Sequence, residues 1–299
     1  MSEFVHFPVM LNEAVDALEV EPGKIYVDAT LGGGGYSKLI LERLSGKGFL
    51  HAFDIDDEAI AAAHDKLKFF KNFKIHKSSH TETAKVLAEE GLKSLSGGIV
   101  YDFGASFHQL TDPERGFSFK AEAPLDMRFN KDADFSAYDV INGYSKDDLV
   151  RIFSEYGEER FSKRIAEAIV TTRKTSAIRT TKELADLIIN STPRIKSKIH
   201  PATRVFQAVR IEVNAELENI KNTLENILPF LEKGGIISAV TFHSAEDRIV
   251  KNFFRDKSVK FGSGELEVLT KKPISASEEE IRQNPPSRSA KLRYARKAK

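Results

Sequence analysis

Apolar and polar positions follow two rhythms along the first hundred residues. Short runs of strand character occur at Ile25–Asp28, Gly48–Asp54, Phe73–His76 and Gly98–Phe103. Between them the apolar residues recur at helical spacing. Leu39, Ile40, Leu41 and Leu44 form one such set; Ile60, Ala63, Leu67 and Phe70 form another, in a helix over Asp57–Phe70 that Asp56 caps. A further helix is expected from about Thr81 to Glu90. Strand and helix in alternation predict a parallel sheet with helices on both faces.

That alternation stops near Leu110. Helical patterns alone follow, at Lys146–Tyr156, Glu158–Arg173 and Thr181–Asn190, the last opened by a Thr180–Glu183 capping box. One long helical pattern is expected from Pro201 through Leu228, ending at Lys233-Gly234-Gly235. A strand at Ile236–Phe242 and a helix at Ala245–Phe254 then resume the first rhythm. The tail from Val259 is expected to hold one or two strands and a Pro-rich, basic end. The organisation predicted is an α/β domain in two parts, 1–109 and 215–299, interrupted by an all-helical insertion, 110–214.

The first strand runs into four consecutive glycines, Gly32–Gly35. Glycine there lets the chain take positive φ and lets a ligand approach the backbone closely. Asp54 ends the next strand about 20 residues on, where a ribose-binding carboxylate belongs. The dinucleotide pattern G-x-G-x-x-G fails, because Ser37 holds its third glycine position. The P-loop pattern fails too, since Tyr36-Ser37-Lys38 stands where Gly-Lys-Ser/Thr is required. Asp28 would repel a pyrophosphate and suit a cationic amino group. S-adenosylmethionine, with an amino group, a sulfonium and no phosphate, fits better than NAD. A glycine-rich turn without a ligand is the alternative.

Asp102 closes the fourth strand, where ligands of open α/β sheets sit. A transferase acting on an exocyclic base amine needs acceptors at such a place, since a proton leaves as the methyl group arrives. A carboxylate that only caps a turn is the plain alternative. Arginines and aromatics interleave over Leu110–Arg128, a composition suited to a stacked base and equally to a surface loop with its phenylalanines tucked inward. Ile189–Arg210 and Ser287–Lys299 carry basic residues and no acid, which makes them nucleic-acid backbone patches or, for the second, a solvated tail. His243 and Glu246 could pair on a metal, but no third ligand has suitable spacing, and Ser244 is the expected helix cap; no metal is expected.

A net charge of +1 confines any nucleic-acid surface to local patches. No apolar run approaches the length of a membrane span, no signal-peptide pattern opens the chain, and there are no cysteines for disulfides or thiolate zinc sites. A cytoplasmic protein without membrane contact is expected. The sequence leaves a homodimer open.

In order along the chain stand His6-Phe-Pro-Val-Met-Leu, the Asp28–Ser37 loop, Ala52-Phe-Asp-Ile-Asp56, Glu114-Arg-Gly-Phe-Ser-Phe119 and Pro124-Leu-Asp-Met-Arg128. Tyr156-Gly-Glu-Glu-Arg-Phe161, His200-Pro-Ala-Thr-Arg204, Phe242-His-Ser and Asn284-Pro-Pro-Ser-Arg-Ser289 follow. Together they resemble the bacterial S-adenosylmethionine-dependent methyltransferases that modify N4 of a cytosine in 16S ribosomal RNA. The resemblance implies a Rossmann-like class I methyltransferase sheet split by a helical substrate-recognition domain, and a target in the decoding region of the small ribosomal subunit. Carried over by position, it implies cofactor contacts at Gly34, Gly35, Tyr36, Asp54, His80, Asp102 and Gln109, with Asp102 also the candidate catalytic group. Arg115, Arg128, Arg194, Lys196, Lys198 and Arg204 are the candidate RNA contacts. Tyr36 stands where the family usually has His, His80 where an aromatic carbocycle is common, and Ser106-Phe107-His108-Gln109 where Ser-Ser-Pro-Gln is usual. A ribosome-assembly factor that keeps the cofactor pocket without turnover is the second reading.

Overall fold

The computed structural model describes residues 8–104, 113–193 and 199–299. The chain divides into two compact units, Met1–Gly104 with Leu217–Lys299, and Ala105–Glu216.

The first unit is built on one sheet. Strands β1 (Ile25–Asp28), β2 (Phe49–Asp54), β3 (Phe73–Lys77), β4 (Gly98–Asp102) and β5 (Ile236–Thr241) lie in the order β3-β2-β1-β4-β5, all parallel. Between β1 and β4 the order reverses, with Asp28 paired beside Val100. Strand alternation then divides the core. Val100 faces one layer with α1 (Leu11–Asp16), α2 (Gly35–Leu44) and α3 (Asp57–Leu67). Ile99 and Tyr101 face the other, with α4 (Thr83–Glu89), α10 (Glu216–Ile227) and α11 (Ser244–Asp256). Each parallel strand is thus covered on both sides, which is why these runs read as nearly continuous apolar sequence.

The tail holds three strands where one or two are expected, and its basic end is one of them: β8 (Lys291–Lys297) enters the sheet antiparallel to β5 and is flanked by β6 (Leu266–Val268) and the short β7 (Ile274–Ser275). Arg293 is buried there and forms a two-pronged pair with Asp247: Nε donates to Oδ1 at 2.6 Å and Nη2 to Oδ2 at 3.1 Å. Lys291 lies 3.7 Å from the same carboxylate, Lys297 reaches Glu265 at 3.5 Å, and Arg296 reaches Glu19 at 2.5 Å. Cations at positions that pack into a sheet need such partners, because an unpaired buried charge is strongly unfavourable.

The second unit is helical among its described residues: α5 (Ala137–Gly143), α6 (Lys146–Glu155), α7 (Ser162–Arg173), α8 (Thr181–Ser191) and α9 (Thr203–Val213), around a core that includes Leu149, Phe153, Ile165, Ile169, Leu184, Ile188 and Val209. Ser136 with Asp139, and Thr180 with Glu183, form complete capping boxes. Two expected boundaries move. The helix expected from Glu158 begins at Ser162, because Glu158 takes a left-handed φ of 50°. The long pattern from Pro201 is two helices, α9 and α10, broken at Asn214 and at Ala215 with φ 49°.

The break has a local cause. Asn214 Oδ1 accepts from Phe129 N–H at 2.7 Å, and its Nδ2 donates to the Met127 carbonyl at 2.8 Å. Leaving the helix lets one carboxamide hold a loop 85 residues away in sequence. Asn214→Ala is expected to lower the unfolding free energy of this unit by about 2 kcal/mol, two partly buried bonds at roughly 1 kcal/mol each. Urea unfolding followed by a probe in the insertion checks it; an unchanged midpoint would mean the carboxamide contributes nothing.

Candidate active site

The ends of five strands of the first unit build the site. β1 ends in Asp28, which is fully buried. Its Oδ2 accepts from Ser37 Oγ at 2.7 Å and its Oδ1 from Thr30 N–H at 3.2 Å. Burial pushes its carboxyl up to about 6, against these bonds.

The glycine turn follows. Gly32 and Gly34 take φ of 48° and 74°. A Cβ on Gly34 would stand 3.2 Å from Ala63 Cβ, and one on Gly35 only 2.5 Å from Pro8 Cγ. Close approach at the last two glycines is therefore made by α3 and by the N-terminal segment, so packing alone already requires small residues at both.

Asp54 ends β2 beside this turn. Its Oδ2 accepts from Gly32 N–H at 2.8 Å and its Oδ1 from Asp56 N–H at 3.0 Å. The carboxylate fixes the turn, and burial raises its pKa. His80 follows β3. Its Nδ1 lies 2.9 Å from Thr223 Oγ1, its ring meets Phe103 edge-on at 5.7 Å, and burial lowers its pKa to about 4, so the ring is neutral at neutral pH.

Asp102 ends β4. Its N–H donates to Thr30 Oγ1 at 2.7 Å, which ties this strand end to the β1 loop. Oδ2 lies 3.5 Å from the Tyr36 hydroxyl; Oδ1 is buried and has no partner among the described residues. Burial, reinforced by the charges of Asp28 and Glu246, pushes the carboxyl up to about 8. A displacement of this size makes Asp102 a candidate functional group.

At the end of β5, His243 rather than Ser244 caps α11: its Nδ1 accepts from Glu246 N–H at 3.3 Å. Glu246 Oε2 accepts in return from the N–H groups of Phe242 and His243 at 2.7 and 3.3 Å. An imidazole nitrogen at this position accepts as a serine oxygen would, a possibility that cap preferences alone do not suggest. Gly104 makes room for Phe242, whose ring would be 2.5 Å from a Cβ there.

Of the expected site residues, Gly34, Gly35, Tyr36, Asp54, His80 and Asp102 all stand at or just beyond the carboxyl ends of β1–β4. Gln109, with the rest of Ser106–Gln109, lies outside the described residues, as do Arg194, Lys196 and Lys198. Three arginines have local work in the insertion. Arg115 Nη2 donates to the Arg128 and Phe129 carbonyls at 2.7 Å each, and Arg128 clasps Asp126 from Nε at 2.9 Å and Nη2 at 2.6 Å. Arg204 Nη1 donates to the Glu158 carbonyl at 3.0 Å.

Two carboxylates, Asp28 and Glu246, thus stand close enough to Asp102 to raise its pKa. The cleft favours a cation and disfavours a phosphate. The sequence profile of one methylase family, MraW, matches residues 3–298.

The chain belongs to the MraW methylase family.

Relatives within reach of the whole chain agree. The ribosomal RNA small subunit methyltransferase H of Caldicellulosiruptor bescii is 50% identical over 306 residues, covering 98% of this chain and 99% of that one. The protein of the same name from Persephonella marina is 48% identical over 296 residues, with the same coverage. Among the described residues no helix is long and apolar enough to cross a membrane.

Proposed function

We propose that this chain transfers a methyl group from S-adenosylmethionine to N4 of a cytosine in the decoding region of 16S ribosomal RNA, acting on the small ribosomal subunit in the cytoplasm. The observation that carries the reading is the bare, buried Oδ1 of Asp102 at the sheet's switch point. It is supported by the family, by relatives named for small-subunit rRNA methylation, and by a cleft whose charge suits a sulfonium and an ammonium.

When bound, S-adenosylmethionine supplies an electrophilic methyl on sulfur, and the C–S bond breaks as the new C–N bond forms. The chain's own groups do the rest. Asp54 accepts from the ribose hydroxyls with the lone pairs its turn contacts leave free. Gly34, Gly35, Tyr36, His80 and Gln109 line the cofactor, and the neutral His80 ring adds no positive charge beside the sulfonium. Asp102 Oδ1 accepts from the N4 amine, which draws the N–H into place and frees the nitrogen lone pair from the ring; the carboxyl, pushed up to about 8, takes the proton that leaves when it is in its ionised form. Delocalisation makes N4 a poor nucleophile, so an acceptor is the one thing a site must add. The RNA is held by Arg115, Arg128, Arg194, Lys196, Lys198 and Arg204, and the target base is unpaired or flipped to reach the cleft.

Asp54→Ala is expected to weaken S-adenosylmethionine binding about tenfold or more, the loss of charged hydrogen bonds to a ribose. Calorimetry checks it; unchanged affinity would remove Asp54 from the cofactor site. The function itself is tested with labelled S-adenosylmethionine and small subunits lacking the modification. Incorporation by the wild-type chain and none by Asp102→Ala is expected; no incorporation by either would reject the reading.

A further inference from the structure

The Val9–Met10 peptide bridges two side chains from distant parts of the chain. Its carbonyl accepts from the Tyr36 hydroxyl, and its N–H donates to Glu280 Oε1 at 2.7 Å. Tyr36 is on α2, and Glu280 is on α12 (Glu278–Gln283), 270 residues after Met10. Met10 takes a left-handed φ of 52°, a conformation unfavourable for a residue with a Cβ, and this turns its N–H toward Glu280. Met10 and Tyr36 are essentially inaccessible, and Pro8 packs on Gly35, so the segment is fixed against the glycine turn.

A phenol has one proton to give. With that proton directed at the Val9 carbonyl, only lone pairs face Asp102 Oδ2, 3.5 Å away. An oxygen acceptor on the Met10 N–H draws electron density along the peptide, which makes the Val9 carbonyl the stronger acceptor.

We propose that Glu280 is a positioning residue: through the Val9–Met10 peptide it holds the Tyr36 hydroxyl turned away from Asp102, so that Tyr36 accepts from the carboxyl at Oδ2 and never donates to it. Asp102 is then deprived of a donor that would stabilise its ionised form, and its proton sits on Oδ2, away from the uncommitted Oδ1. The other charged groups facing this carboxyl are Asp28 and Glu246, both acidic, while Glu280 faces Tyr36. None of them is a donor; the Gly104 backbone N–H is the group that still favours the ionised form. The inference rests on the reading of Asp102 as the amine acceptor for its purpose, though not for its geometry.

The test reads Asp102 directly, by carboxyl carbon-13 NMR titration of aspartate-labelled protein, with its signal assigned by its loss in Asp102→Asn. In Glu280→Ala the hydroxyl is released to donate to Asp102, and the midpoint should fall by about one pH unit. Glu280→Gln keeps a carbonyl acceptor for the Met10 N–H and should titrate like the wild type. In a Tyr36→Phe background Glu280→Ala should produce no further shift. A midpoint unmoved in Glu280→Ala overturns the proposal. So does an equal shift in Glu280→Gln or in the Tyr36→Phe background, since either would reduce Glu280 to a charge acting through space. The titration needs no turnover, so it is decided separately from the role of Asp102 in methyl transfer.

Discussion

Asp102→Ala is expected to reduce turnover roughly a thousandfold with S-adenosylmethionine saturating, the range of a lost proton acceptor. If the residue only touched the cofactor, raising the cofactor concentration would restore most of the rate. Asp102→Asn should be as inactive and yet more stable at neutral pH. The sign follows from the titration. The folded carboxyl titrates near 8 and an unperturbed one near 3.8. Between these values the folded chain holds a proton that the unfolded chain has released. The stability this group contributes is therefore fully present below about 4 and is lost as pH rises to about 8. Asparagine keeps the neutral shape throughout. The stability difference between Asp102→Asn and wild type should thus grow from pH 5 to pH 8, reaching on the order of a few kcal/mol. Urea unfolding at the two pH values measures it. Equal pH dependence in both proteins would mean that the Asp102 carboxyl is ordinary, and the argument for a poised acceptor would fail.

The second large effect concerns the substrate. Intact small subunits should be methylated at least about a hundredfold more efficiently, in kcat/KM, than a short hairpin containing the same cytosine, a preference of roughly 3 kcal/mol. A net charge of +1 offers little long-range attraction to RNA. In the tail, Lys291, Arg293, Arg296 and Lys297 pair with Asp247, Glu19 and Glu265 inside the first unit. The RNA contacts proposed for the insertion are Arg115, Arg128, Arg194, Lys196, Lys198 and Arg204. A few contacts of this kind need a preformed surface to add up to affinity. Replacing Arg194, Lys196 and Lys198 together should raise KM for subunits, flatten its salt dependence, and leave cofactor binding unchanged. A hairpin modified as well as the subunit would remove the docking role of the insertion.

What could be read in the sequence was what local chemistry decides. The Ile25–Asp28 strand, the glycine turn and the acidic strand ends Asp54 and Asp102 declare themselves by residue type and spacing, because burial on both faces and positive φ leave few alternatives. The Thr180 capping box was equally legible. What was hidden depends on distant partners. Lys291–Lys297 reads as a nucleic-acid patch or a solvated tail; its pairing with β5, and Asp247, Glu265 and Glu19 for its cations, make it a strand instead. Asn214 interrupts an otherwise continuous helical pattern because a loop near Phe129 needs its carboxamide. Glu280 carried no signal, since its role exists through a peptide 270 residues away. His243 as a helix cap was overlooked for a simpler reason: cap preferences favour the serine beside it.

The central claim is the atom that receives the methyl group. Small subunits lacking the modification should be incubated with the chain and labelled S-adenosylmethionine, and the ribosomal RNA digested and analysed as nucleosides by mass spectrometry. The account predicts one labelled product, cytidine methylated at N4, from a single cytosine in the decoding region, and its loss in Asp102→Ala. Label on a ring carbon or on a ribose hydroxyl would contradict it, since neither needs an acceptor for an amine proton.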